Sequence, residues 1–315
     1  MIMLIAKALL PVYIGLALGY FAGRRKIIDN INIASLNSLL MQFALPLSLF
    51  LAIAQTSRAQ ILGNGPFALV MVLMMIIIYV PMLWLSRRVF KLEPGAAAVH
   101  ALTTGFPNIA GVGLPVLVSV FGPGAVLPVA IGVAAGAISI SPLTLALLDI
   151  AKRQDAGGAS PLATFLAALG RSVRRPIFVG PAIGLVVSVA GLTPPPLLAA
   201  SLYPVTACSA GVGLFLTGLM LSAQTIRLDL RIAASVAVAC LLQPLVALAL
   251  ATALGLSREH RAEALVLATL PCGFFGLVFG ASQGVRSEVA GSTLVFSSLL
   301  SAGTLALVLS LVHPL

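Results

Sequence analysis

The chain has 315 residues, and only 8% of them are Asp, Glu, Lys or Arg, against about 25% in a soluble globular domain. With 60% hydrophobic residues and a mean hydropathy of +1.14, most side chains must face lipid or one another, which excludes a separate soluble domain and defines an integral membrane protein. The net charge of +10 does not point to a nucleic-acid partner, because Lys and Arg fall in short gaps between apolar runs.

Taken in order, the apolar runs predict ten transmembrane helices at about 3–23, 33–56, 66–86, 97–121, 125–150, 176–193, 197–221, 232–254, 262–283 and 289–312. The first is followed, not preceded, by Arg24, Arg25 and Lys26, so it reads as a retained helix and not a secretory signal. Lys and Arg number three after span 1, three after span 3, five after span 5, two after span 7 and one after span 9. The opposite side carries only Lys7, Arg58, Arg258 and Arg261. The positive-inside rule then puts the five richer loops in the cytoplasm and both termini outside. Lys7, near the outer end of span 1, can snorkel.

The chain divides into a first five-helix repeat, 1–150, a cytoplasmic linker, 151–175, and a second five-helix repeat, 176–315. In the linker, Ser160 and Pro161 make an N-cap and N1 pair for a helix with Leu162, Phe165, Leu166, Leu169 and Val173 on one face, expected to lie on the inner leaflet. The repeat rests on Pro11-Val-Tyr-Ile-Gly15-Leu-Ala-Leu-Gly19 against Pro176-Ile-Phe-Val-Gly180-Pro-Ala-Ile-Gly184. Phe50-Leu51 and Phe215-Leu216 share the same offset, and Pro81 with Pro244 and Pro107 with Pro271 lie close to it. An odd number of spans per copy inverts the second copy, giving a 5+5 inverted repeat. The Gly-x-x-x-Gly pairs, Gly15/Gly19 and Gly180/Gly184, could serve a homodimer, but packing inside the monomer is the favoured reading. The same caution covers Gly276, Gly280 and Gly284 in span 9.

Two spans cannot be regular helices. Span 4 runs Gly105-Phe-Pro107-Asn-Ile-Ala-Gly111-Val-Gly113-Leu-Pro115, with two prolines and three glycines in eleven residues, and span 9 has Leu270-Pro271-Cys272-Gly273 at the matching place. Proline costs ~3 kcal/mol inside a helix and glycine up to ~1 kcal/mol against alanine. Irregular backbone at membrane depth persists only where protein or a cavity surrounds it. Amides freed at the starts of the following half-helices attract an anion. The candidate substrate contacts are Gly105, Pro107, Asn108 and Ile109 in span 4, Pro271, Cys272 and Gly273 in span 9, and Gln42 in span 2. Other intramembrane polar groups are Asn37, Ser38, Ser48, Thr103, Thr104, Gln243 and a stripe on span 10 of Thr293, Ser297, Ser301 and Thr304. His100 reads as a satisfied interfacial residue, and Ser86, at the end of span 3, is expected to tolerate replacement by alanine.

All eight acidic residues, Glu263 among them, fall at span ends or in loops, which disfavours a proton antiporter with an acidic centre. Without a Ser-His-Asp set, a metal-ligand cluster or a phosphate loop, an enzyme is disfavoured and no cofactor is implied. Cys208, Cys240 and Cys272 lie in apolar segments without paired spacing, so neither disulfide nor metal is expected.

The stretch Asn108-x-x-x-x-Gly113-x-Pro115 with Phe121-Gly122, and secondarily Ser292-Thr293 and Ser297 to Ser301, resembles the auxin efflux carrier family over the whole chain. That family includes bacterial proteins described as malonate transporters and belongs with the bile-acid sodium symporters in one fold group. The resemblance implies a scaffold of helices 1, 2, 6 and 7, a transport domain of helices 3–5 and 8–10, crossing helices 4 and 9 that bind an organic anion, often a dimer, and elevator-like alternating access. Plant members carry asparagine on both sides of each crossover proline. Here Phe106, Leu270 and Cys272 take three of those places and only Asn108 is kept, which argues against auxin itself and leaves a small carboxylate. The expected function is therefore secondary transport of small organic anions. The alternatives are a sodium-coupled symporter of the bile-acid type and a non-transporting membrane receptor.

Overall fold

The computed structural model describes residues 2–154, 161–224 and 227–312. Among them the secondary structure is helical, apart from one isolated antiparallel bridge between Pro107 and Cys272. The first half contains α1 (Ile2–Arg24), α2 (Ala34–Ala54), α3 (Gly65–Arg88), α4a (Pro94–Gly105), α4b (Ile109–Phe121) and α5 (Val126–Lys152). The second half contains α6 (Pro176–Val189), α7 (Pro196–Ser222), α8 (Leu230–Ala253), α9a (Arg258–Thr269), α9b (Phe275–Ser282) and α10 (Glu288–Val312). By length and composition α2, α3, α5, α7, α8 and α10 are able to cross a membrane, while α4b and α6 are shorter apolar helices. Helix ends lie within four residues of the apolar segments read from the sequence.

Packing between apolar helices in lipid gains little from expelling water, so close approach of backbones has to supply the attraction. The glycine pairs do this inside the monomer. A Cβ on Gly19 would stand 2.0 Å from the Phe215 carbonyl oxygen of α7, and one on Gly180 would stand 2.4 Å from the Pro46 carbonyl oxygen of α2. Helix α1 therefore lies on α7 and α6 lies on the second half of α2. In the same way Gly276 and Gly280 seat α9b on Val99 and Thr103 of α4a. Gly284, by contrast, sits at φ +75 in the turn after α9b and meets nothing within 4 Å.

Among the described residues three helices widen into a π turn, at Leu39–Ala44, Ile109–Gly113 and Val238–Leu242. Each is followed within two residues by a proline, Pro46, Pro115 and Pro244 respectively. A proline ring displaces the turn before it and removes one backbone donor, and a wider turn absorbs both faults without ending the helix. The buried face of α3 is built from Phe67, Met71, Met74, Met75, Ile78 and Tyr79, and α3 packs on α4a and α5.

The linker helix, Pro161–Ser172, packs on the second half of α5, and Arg171 pairs with Asp149 there, leaving Leu162 and Leu166 exposed. Its place is thus set by a protein contact as well as by the apolar face expected for lipid. Ser160 and the side chains of Phe165, Leu169 and Lys7 lie outside the described residues.

Candidate functional site

The two broken segments meet. Helix α4a stops at Gly105 because Phe106 is extended ahead of Pro107, and α9a stops at Thr269 because Leu270 is extended ahead of Pro271. The residues after each break run antiparallel: Asn108 N–H donates to the Pro271 carbonyl at 2.8 Å, and Gly273 N–H donates to the Thr103 carbonyl at 3.1 Å. Gly273 is required by contact, since a Cβ there would be 2.2 Å from the Phe106 carbonyl oxygen. The Phe106 ring packs on Phe275, 4.8 Å between centroids, and lies over Gly136 of α5.

Residues 97–113 and 266–280 are all buried, so the crossover is closed to bulk solvent in this conformation. It contains no charged side chain. Gly105, Pro107, Asn108, Ile109, Pro271, Cys272 and Gly273 are brought together here, seven of the eight residues singled out from the sequence. Gln42 is not among them. It is exposed, donates to Ser38 Oγ at 3.3 Å, and lines a cavity of about 520 Å³ walled by Asn37, Arg175 and Phe279 but by none of those seven residues. The spacing of Gln42 gave no sign of this, because the π turn Leu39–Ala44 that carries it shifts the facing of the residues it contains.

The amides at the break are less free than helix ends alone would leave them. Asn108 is the N-cap of α4b: its Oδ1 accepts from Gly111 N–H at 3.1 Å, while Nδ2 makes only a long 3.5 Å contact with Thr217 Oγ1 on α7. Cys272 N–H donates to Ser297 Oγ at 3.1 Å, so the span 10 stripe has a specific task that its periodicity did not disclose. Thr293, Ser297 and Ser301 are fully buried and each hydroxyl also donates to a carbonyl of its own helix, while Thr304 is only partly buried. Gln243 Nε2 reaches the Gly105 carbonyl at 3.3 Å and Met74 Sδ at 3.1 Å, satisfying an acceptor that the break exposes. A lone glutamine in an apolar helix was the signal for it.

Two expectations, for Ser86 and His100, need correction, and Glu263 proves buried at the span end where the sequence puts it. Ser86 is fully buried and its hydroxyl bridges the Met82 carbonyl, at 2.6 Å, and His100 Nδ1, at 2.8 Å, so it is not an inert position. His100 is buried and only half-satisfied: Nδ1 meets the Ser86 hydroxyl and Nε2 has no hydrogen-bond partner. Glu263 is only 4% exposed although it lies near a helix start, with Oε2 lacking a hydrogen bond and His260 Nε2 3.9 Å away. Position near a helix end sets depth along the axis, but neighbouring helices decide exposure.

An apolar helical bundle holding a buried, uncharged meeting of two broken segments is the architecture of an integral membrane transport protein. The model of the family described as "Membrane transport protein" matches residues 4–309, and the chain belongs to that family, which includes the auxin efflux carriers. It is similar to the uncharacterized transporter YfdV of Escherichia coli (strain K12), with 27% identity over 295 residues and 92% of each chain covered. The YfdV proteins of Escherichia coli O157:H7 and Shigella flexneri match with the same identity and coverage.

Proposed function

We propose that the protein moves small organic anions, carboxylates, across a bacterial inner membrane by elevator-like alternating access, with the substrate held at the crossover. The observation that carries this reading is the pair of side-chain oxygens on crossover amides, Asn108 Oδ1 on Gly111 N–H and Ser297 Oγ on Cys272 N–H. Both oxygens stand where the oxygens of a bound carboxylate would stand, at the starts of half-helices whose dipoles favour negative charge. A substrate would take over these donors as the site opens, and Asn108 Nδ2 would add one more. No Lys or Arg is needed, which avoids placing a permanent charge at the membrane centre at a cost of at least ~2.5–3.5 kcal/mol. The empty site stays neutral and free to change sides.

The inverted repeat and the ten-span count belong to the same proposal. Support comes from equivalent contacts: α1 lies on α7 where Gly19 meets the Phe215 carbonyl oxygen, as α6 lies on α2 where Gly184 meets the Phe50 carbonyl oxygen, and the bridge joins Pro107 to Cys272, at the repeat offset. On this reading α1, α2, α6 and α7 form the scaffold and the helices around the crossover move against it. Both termini face outside. A homodimer would use another surface than Gly15/Gly19, which is spent inside the monomer.

The test is uptake into proteoliposomes of monocarboxylates, dicarboxylates and aromatic acids, with and without sodium, joined to current recordings on a solid-supported membrane. A carboxylate-dependent current carrying negative charge without sodium is expected. A current that needs sodium, or that appears only with neutral or cationic solutes, would replace this reading with a symporter.

A further inference from the structure

On the Lys- and Arg-rich face the ends of α5 and α9b and the starts of α4a, α8 and α10 enclose a cavity of about 720 Å³. Four cations line it, Lys91, Lys152, Arg231 and Arg286, against two carboxylates, Glu93 and Glu288. Arg231 is engaged by Asp229, and Glu288 has Arg227 at 3.6 Å. Among the described residues Lys91, Lys152 and Arg286 have no ion-pair partner, so three unmatched cations face one unmatched carboxylate. Pro94, Ser287, Glu288 and Val289 also line the cavity, which places the N-terminal turns of α4a and α10 on its wall beside the first turn of α8, where Arg231 lies.

We infer that this cavity binds a phosphate-bearing anion, free or as the headgroup of an anionic phospholipid. A phosphate presents several oxygens at once, so it can be shared between Lys91, Lys152 and Arg286, three cations that no carboxylate among the described residues pairs with, beside helix starts whose dipoles favour an anion. The site is distinct from the crossover, and none of its walls comes from α1, α2, α6 or α7. It is nevertheless connected to the crossover by two rigid elements. Helix α4a runs from the cavity to the break at Gly105, and α10 runs from it to Ser297, which holds Cys272. A ligand there clamps the outer ends of both helices that position the broken segments.

The experiment uses purified full-length protein. Calorimetric titration with inorganic phosphate in neutral detergent forms one arm. The other is native mass spectrometry of lipids retained from phosphatidylcholine nanodiscs with and without phosphatidylglycerol. Lys91→Gln with Arg286→Gln should weaken binding by roughly tenfold or more, as expected for loss of charge-assisted hydrogen bonds. Arg58→Gln with Arg261→Gln, the same loss of charge on the other face, should leave it unchanged. Binding of phosphate assigns a soluble ligand, and retention of phosphatidylglycerol alone assigns a headgroup. Absence of both, or equal weakening by both pairs of substitutions, would overturn the inference.

Discussion

On the proposed function Asn108 has two duties, which alanine removes together and serine separates. Its Oδ1 caps α4b through Gly111 N–H, worth about 1 kcal/mol with a range of ~0.5–2, and its Nδ2 is a donor with only the long Thr217 contact in the closed state. A donor to a carboxylate is worth roughly 1.5–3 kcal/mol, or about ten- to hundredfold in affinity. Asn108→Ala removes both, so it lowers thermal stability as well as affinity. Asn108→Ser keeps an oxygen able to cap and removes only the amide donor, because serine ranks beside asparagine at N-caps. The expected outcome is that serine recovers most of the melting temperature lost with alanine, yet shares its weakened substrate affinity. The assay is concentration-dependent uptake into proteoliposomes of a carboxylate that the wild type carries, with melting curves of the same preparations. Wild-type uptake kinetics in Asn108→Ser would show that Asn108 serves the fold alone and would refute its contact with substrate.

Other outcomes follow from single contacts. Ser297→Ala leaves the buried Cys272 N–H without its acceptor and should cost ~1–3 kcal/mol of stability, read from thermal unfolding, whereas Ser297→Thr should retain the bond. Gly19→Ala places a methyl 2.0 Å from the Phe215 carbonyl oxygen and should destabilise by ~1–3 kcal/mol. Gly211→Ala, with nothing within 4 Å, should leave the melting temperature unchanged or raise it; equal effects of the two would refute the role of α1–α7 packing. Asp229 caps α8 through Ile232 N–H, and hydrogen bonds from Arg231 and Ile232 hold its carboxyl below the usual carboxylate range. Its contribution is therefore present above the ordinary carboxylate pKa and is lost as pH falls through the lowered one. Asp229→Asn should keep the cap and remove this acid sensitivity, as melting scans between neutral and acid pH would reveal. For the topology, a cysteine beside Arg24 should resist, and one at the C-terminus accept, an impermeant reagent applied to intact cells lacking the native three cysteines; the reverse pattern inverts the orientation.

The protein class and the approximate helix ends were legible in composition and apolar runs alone. Composition alone rules out a water-facing surface, and helix boundaries could be read because apolar runs and charged gaps register the thickness of the bilayer directly. The breaks were legible for a local reason: proline and glycine act on their own backbone, so Pro107 and Pro271 interrupt their helices whatever surrounds them. Asn108 stood out on the same ground, as a polar residue beside such a break.

Which residues meet, and what each polar group then does, follows only from how the helices pack. Gln42 and Gln243 look alike in sequence, both isolated amides in apolar helices. Yet Gln243 reaches the Gly105 carbonyl while Gln42 lies on another cavity, because a π turn and the angle of a neighbouring helix set where a side chain points. The bonds from Cys272 to Ser297 and from Asn108 to Pro271 join residues 25 and 163 positions apart. No local preference encodes such pairs. They exist because glycines let α4a, α9b and the two breaks approach to backbone contact, and that closeness is a property of packed helices, not of any one of them.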